Sequence, residues 1–232
     1  MTGILYGVGV GPGDPDLLTI SAIRCIERSS VIAYPCLEGT PSFARGVVSD
    51  YIKESQEEIS IAIPMKREYE PAQQAYDHAA KTLLERLREG KDVAVLCEGD
   101  PFFYGSFQYL FFRLAKKCSI KVVPGISSLM SCSTSLRQPL SARNDVLSIL
   151  PAPLPDTALK ACLQVADTAA IIKIGRHFSR IRNLLETMNL EKKSYYIERS
   201  TLPNEKIKNL DNVDPLEVPY FSMILVKRRG EI

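Results

Sequence analysis

The stretch Ile4-Leu5-Tyr6-Gly7-Val8-Gly9-Val10, then Gly11-Pro12-Gly13-Asp14-Pro15, then residues 17–28 at helical period, decides the fold. A short apolar run, a glycine-proline turn and an amphipathic segment make the strand–turn–helix unit of an α/β protein. The same punctuation recurs along the chain. Val31-Ile32-Ala33-Tyr34 reads as a strand closed by Pro35, residues 42–52 as a helix, and residues 59–63 as an alternating strand ended by Pro64. A long helix over 71–89 has proline at its start and Gly90 past its end, with Ala75, Ala79, Leu83 and Leu87 on one face. Residues 92–97 form a buried central strand, and Phe107, Leu110, Phe111 and Leu114 mark the helix that follows. A strand over 120–123 ends at Pro124-Gly125, and a serine-rich helix opens at Ser127. Beyond it come strands at 145–150, 169–174, 194–198 and 222–227, with helices over 156–165 and 177–188.

With 45% hydrophobic against 24% charged residues in a chain of 232, there is enough apolar material to offset chain entropy, so the protein is globular. Lys plus Arg number 29 and Asp plus Glu 27, so a net charge of +2 supplies no field for a nucleic acid partner. No apolar run approaches the roughly 18 residues that span a bilayer, and the first residues lack a basic segment before an apolar one. The expectation is a cytoplasmic protein with no membrane partner. Six cysteines show no C-x-x-C spacing and no clustering with His78 or His177, which predicts neither a metal site nor a disulfide framework.

Ligands of open α/β sheets bind where loops leave the carboxyl ends of strands, so the loops after the first, fourth and fifth strands are the places to look. The first, Gly7 to Pro15, fits no G-x-G-x-x-G register, and Pro12 and Pro15 remove backbone donors that a nucleotide phosphate needs. By itself it reads as a tight turn requiring positive φ. The second, Glu98-Gly99-Asp100-Pro101-Phe102-Phe103-Tyr104-Gly105, sets carboxylates, glycines and aromatic rings behind a buried strand and suits a cationic, partly apolar ligand. The third, Pro124-Gly125-Ile126-Ser127-Ser128, offers hydroxyls to a ligand or a cap to a helix. No G-x-S-x-G and no P-loop occurs, and His177, after Lys173-Ile174-Gly175-Arg176, is a better ligand contact than His78.

Taken together and in order, the Gly9–Pro15 turn, the Glu98–Ser106 loop, Pro124-Gly125-Ile126-Ser127-Ser128 and Lys173-Ile174-Gly175-Arg176 resemble the tetrapyrrole methylases, and the likeness runs essentially end to end. Ala33-Tyr34-Pro35, Asp100 to Phe107 and Leu150-Pro151-Ala152 most resemble the branch that methylates C20 of precorrin-2, or of its cobalt form, in cobalamin biosynthesis. The resemblance implies two α/β domains, 1–124 with the glycine-rich loop and 125–232 completing the methyl-donor site, with a cleft between them. It also implies a homodimer, S-adenosylmethionine as donor and a tetrapyrrole as substrate. Pro12, Glu98, Gly99, Asp100, Phe103, Ser127, Ser128, Ile174 and Ser222 fall where the family contacts the donor. Glu98 is a departure, since the family often has glycine there.

Methyl transfer from a sulfonium to an electron-rich ring carbon needs alignment and a water-poor setting more than a strong base. Asp100 and Tyr104 are the candidates to assist proton loss from that carbon. Asp14 is a second carboxylate within reach, and Arg137, Arg143 and Arg176 are loop-adjacent candidates for the substrate carboxylates. Competing expectations are methylation at C2/C7, C11 or C17, a nucleotide-binding dehydrogenase, and a non-catalytic tetrapyrrole carrier.

Overall fold

Strand and helix alternate along the described chain, residues 2–64 and 69–228 of the computed structural model. The chain divides into two units, Met1–Ser127 and Ser128–Ile232. The first runs β1 (Leu5–Gly9), α1 (Ile20–Arg28), β2 (Val31–Leu37), α2 (Phe43–Val47), β3 (Glu57–Ile63), α3 (Tyr69–Arg88), β4 (Val93–Cys97), α4 (Phe107–Leu114) and β5 (Ile120–Val123). Its strands lie in the order β3-β2-β4-β1-β5, and every pairing is parallel. All carboxyl ends therefore share one edge, with β4, β1 and β5 side by side.

The sheet is covered on both faces, which is why its central strands are apolar at successive positions rather than alternating. Leu5, Val93 and Val95 pack with Leu83, Leu87, Phe107 and Leu110 on the side of α3 and α4. Tyr6, Val8, Ala94 and Leu96 face Ala22, Ile26 and Val47 on the side of α1 and α2. Gly7 leaves the room that the Phe107 ring fills, since a Cβ there would lie 2.4 Å from that ring.

Three expectations change in detail. The helix expected from residue 17 starts at Ile20, because Asp14 caps a separate turn over Pro15–Leu17 and Thr19 accepts from the Ala22 N–H at 3.1 Å. The helix expected over 42–52 breaks after Val47 into a further short turn over Ser49–Tyr51; Gly46 and the β-branched pair Val47-Val48 are poor helix formers. Pro35 does not close β2, which continues to Leu37. Pairing with β4 stops at Ala33 while pairing with β3 persists, so the residue without an N–H lies where β2 has one partner strand among the described residues.

The second unit holds α5 (Ser128–Ser135), β6 (Leu147–Pro151), α6 (Asp156–Val165), β7 (Thr168–Ile172), α7 (Phe178–Thr187), β8 (Ser194–Glu198), β9 (Lys206–Lys208) and β10 (Ser222–Lys227). The sheet order is β6-β7-β10-β8-β9. β6 and β7 are parallel, and β10 runs against both β7 and β8. The ends of β6, β7 and β8 and the start of β10 thus share one edge. The short strand β9, Lys206-Ile207-Lys208, was not expected; three residues, two of them Lys, carry too little pattern, and pairing with β8 makes the strand. The core of this unit gathers Leu159, Leu163, Ile171, Phe178, Ile181, Tyr196 and Ile224.

Phe107 is 1% exposed beneath the β1 backbone. Phe107→Ala is expected to destabilise the protein by about 3–5 kcal/mol in urea unfolding; a loss under about 1 kcal/mol contradicts the packing described.

Candidate active site

Loops after β1, β4 and β5 converge at the carboxyl edge of the first sheet, main chain against main chain. A Cβ on Gly9 would lie 2.6 Å from the Gly125 Cα and 2.7 Å from the Gly99 carbonyl oxygen, and one on Gly125 would lie 2.0 Å from that same oxygen. Gly11 and Gly99 exchange backbone hydrogen bonds, Gly99 N–H to the Gly11 oxygen at 2.8 Å and Gly11 N–H to the Gly99 oxygen at 3.3 Å. Gly11 (φ +77°) and Gly99 (φ +62°) take the left-handed conformation that glycine adopts without penalty.

Asp100 clamps this arrangement. Its Oδ1 accepts from the N–H groups of Phe102 at 2.9 Å and Phe103 at 3.1 Å, and its Oδ2 accepts from the Gly125 N–H at 3.1 Å. One carboxylate therefore folds the loop after β4 and ties it to the loop after β5. Phe103 is half-buried and meets the exposed Tyr104 ring edge to face at 5.2 Å; Tyr104 itself holds φ +56°, rare for a residue with a side chain.

Glu98 closes β4. Burial alone lifts its carboxyl above the ordinary glutamate value, with no cation opposing the shift. A carboxylate in such surroundings favours a cationic neighbour. Burial likewise raises the adjacent Cys97 thiol, which leaves it protonated and unreactive at neutral pH. Pro12 and Ser127 are half-buried in the flanking loops, and Asp14 accepts from the Asp16 N–H at 2.9 Å while capping its turn.

The remaining candidates lie in the second unit. Ser128 is exposed at the first position of α5, and its carbonyl accepts from the Ser131 hydroxyl at 3.1 Å. Ile174 is fully buried in the core, main chain included, and its carbonyl accepts from the His177 N–H. The Ser222 hydroxyl donates to the Pro219 carbonyl at 2.6 Å. Arg176 is exposed just past β7 and its Nε donates to His177 Nε2 at 3.3 Å; burial, then the charges of Arg176 and Arg180, hold this imidazole below its ordinary value and therefore neutral.

Arg137 follows α5, whose Ser135 hydroxyl donates to Glu205 Oε2 at 2.8 Å beyond the end of β8. Arg143 lies past Pro139, whose carbonyl accepts from Lys227 Nζ at the end of β10. Sequence reasoning passed over Tyr220 and Phe221, exposed at the start of β10. Two adjacent aromatics after Pro219, just before a strand, were the available signal.

A family model described as Tetrapyrrole (Corrin/Porphyrin) Methylases matches residues 4–214. The chain is 35% identical to the cobalamin biosynthesis protein CobIJ of Mycobacterium tuberculosis over 97% of its own length, but spans only about half, 46%, of that protein. It is also 35% identical to the precorrin-2 C(20)-methyltransferase of a Sinorhizobium species, over 97% of this chain and 95% of that one. In fold it matches the solved uroporphyrin-III C-methyl transferase of Thermus thermophilus complexed with S-adenosyl homocysteine. That match has TM-score 0.70 and 23% identity, and covers 97% of each chain.

Two predictions follow from the geometry. Gly125→Ala forces two main chains apart and should cost about 1–3 kcal/mol in urea unfolding, whereas Gly46→Ala, in α2 with nothing within 4 Å, should be neutral or stabilising by up to about 1 kcal/mol; equal effects contradict the close approach. A carboxyl lifted above its unfolded value binds its proton more tightly in the folded state. The stability it contributes is present below about pH 4 and is lost as pH rises through the lifted value. Glu98→Gln should therefore raise Tm relative to wild type at pH 7 and not at pH 3.5; a lower Tm at pH 7 refutes the assignment.

Proposed function

The chain belongs to the tetrapyrrole (corrin/porphyrin) methylases, and on that premise we propose that it methylates C20 of precorrin-2, or of its cobalt form, with S-adenosylmethionine as donor. The observation that carries this reading is the end-to-end likeness to the Sinorhizobium enzyme. A homodimer in the cytoplasm is part of the same reading; among the described residues no helix is long and apolar enough to cross a membrane.

The residues of the first unit fit the donor. Its sulfonium supplies an electrophilic methyl group, and Glu98 is a desolvated carboxyl without an opposing cation, so a positive charge beside it offsets the penalty of burial. Close contact of the Gly9 and Gly125 main chains with each other and with the Gly99 carbonyl fixes the loops that would hold the donor. In this reading Asp100 positions Gly125 and Phe103, its oxygens being engaged by three N–H groups, and the exposed Tyr104 Oη relays the proton that leaves C20, accepting it as its own phenolic proton passes to water. Asp14 stands as a second acceptor, Pro12, Ser127, Ser128 and Ser222 as donor contacts, and Arg137, Arg143 and Arg176 as partners for substrate carboxylates.

Incubation with S-adenosylmethionine and either metal-free or cobalt-loaded precorrin-2 should add one methyl at C20, read by NMR of the product, and the faster of the two substrates identifies the pathway variant. A methyl at C2/C7, C11 or C17 overturns the proposal. Tyr104→Phe should lower kcat about 100-fold with KM little changed; an undiminished kcat removes the phenol from the reaction.

A further inference from the structure

The helix α5 has little apolar surface to hold it. Its sequence, Ser128-Leu129-Met130-Ser131-Cys132-Ser133-Thr134-Ser135, buries Leu129, Ser131 and Cys132. A short helix depends on its tertiary contacts, and here several of them are hydroxyl hydrogen bonds that run to one turn beyond β8. The Ser200 hydroxyl donates to Ser131 Oγ at 3.1 Å, and the Ser131 hydroxyl donates in turn to the Ser128 carbonyl at 3.1 Å. One helical turn along, the Ser135 hydroxyl donates to Glu205 Oε2 at 2.8 Å and lies 3.3 Å from Ser200 Oγ. The same Glu205 oxygen accepts from the Thr201 N–H at 2.8 Å. Ser131 and Ser200 are buried, so water cannot replace these bonds and an unmade one is costly.

That turn is held in a conformation its residues disfavour. Arg199 (φ +52°) and Thr201 (φ +72°), on either side of Ser200, both occupy the left-handed region, and for the β-branched Thr201 this is an outlier. Strain of this kind persists where the surroundings over-determine it, and it gathers at functional sites. Both strained residues are pinned through their main chain: the Arg199 N–H donates to the Phe221 carbonyl at 2.8 Å, and the Thr201 N–H donates to Glu205. The Arg199 side chain is paired with Glu198 at 2.8 Å. The outcome is a hydroxyl aimed at Ser131, 69 residues earlier in the chain, and through it at the residue that opens α5.

We propose that Ser200 and Glu205 are positioning residues for the methyl donor. Ser200 sets the first turn of α5 through Ser131, Glu205 holds both the turn that carries Ser200 and the far end of α5, and Ser128 meets the donor from a helix start fixed in this way. The inference rests on the reading of the chain as a methylase that uses S-adenosylmethionine, and extends that site to residues acting on it through α5.

S-adenosylhomocysteine affinity is measured by calorimetry for wild type, Ser131→Ala, Ser200→Ala and the double variant, with Tm and the kinetics of methyl transfer to precorrin-2 alongside. Alanine favours a helix over serine, so Ser131→Ala carries the test should Ser200→Ala fail to fold. Each single variant should weaken S-adenosylhomocysteine binding and raise the donor KM about fivefold, with kcat at saturating donor within about twofold of wild type. The double variant should lose no more than either single one, since both remove the same hydrogen bond. Glu205→Ala should fall to the same level, and Glu205→Gln, whose amide oxygen still accepts, should restore binding. Thr134→Ala, which removes a hydroxyl bonded to the Met130 carbonyl of its own helix, should bind as wild type does. Unchanged affinity in either serine variant, whatever its Tm, overturns the proposal. Losses that multiply in the double variant, an equal loss in Thr134→Ala, or no restoration by Glu205→Gln also overturn it. If the variants behave as stated yet the methyl goes elsewhere than C20, the C20 reading fails while the positioning role stands; if wild type binds no S-adenosylhomocysteine, both fail.

Discussion

Where β1, β4 and β5 end, three main chains approach more closely than any side chain would allow. Gly9 and Gly125 lie against each other and the Gly99 carbonyl with clearances that no Cβ on either would fit, and the carboxylate of Asp100 bridges two of the three loops through backbone N–H groups. This contact depends on the strand order, because only β4-β1-β5 adjacency sets those carboxyl ends side by side. It also shapes the chemistry. A cradle built from main chain at the end of a parallel sheet fixes the loops that carry it, and fixed placement is what the proposed methyl transfer to a carbon requires.

The same contact separates this loop from a dinucleotide-binding turn. A phosphate cradle needs convergent N–H groups directed at the anion, yet here the Gly11 N–H is committed to the Gly99 carbonyl and Pro12 has none to offer. Charge points the same way. Glu98 sits at the end of β4 with its carboxyl lifted by burial, an environment that welcomes a cation and repels a phosphate. Near-neutrality of the whole chain conceals this arrangement, since the relevant fields are local.

The second sheet works by a different rule. Its antiparallel β10 brings a strand start to the edge where β6, β7 and β8 end, so residues far apart in the chain, Lys173, Arg199 and Ser222, stand in one row. Nothing in their spacing announces this.

Alternation of apolar runs with helical segments, and the turns that separate them, settled the element order and the α/β class without reference to any contact, because period and punctuation are local properties of the chain. The loops worth inspecting, Gly7 to Pro15, Glu98 to Gly105 and Pro124 to Ser128, were legible for the same reason. The extension of β2 past Pro35, the strand β9 and the Tyr220–Phe221 pair were not, since each depends on a neighbour supplied by sheet pairing. Roles were the least legible. Asp100 reads in sequence as a candidate acid or base, and the fold surrounds it with three backbone donors; Ile174 reads as part of a ligand loop, and the fold buries its side chain. Sequence alone determined the alternating elements other than β9 and where ligand loops leave them; tertiary structure decided which backbones touch and which side chains remain accessible, because hydrogen-bond partners and burial are relations between residues that no single stretch of chain contains.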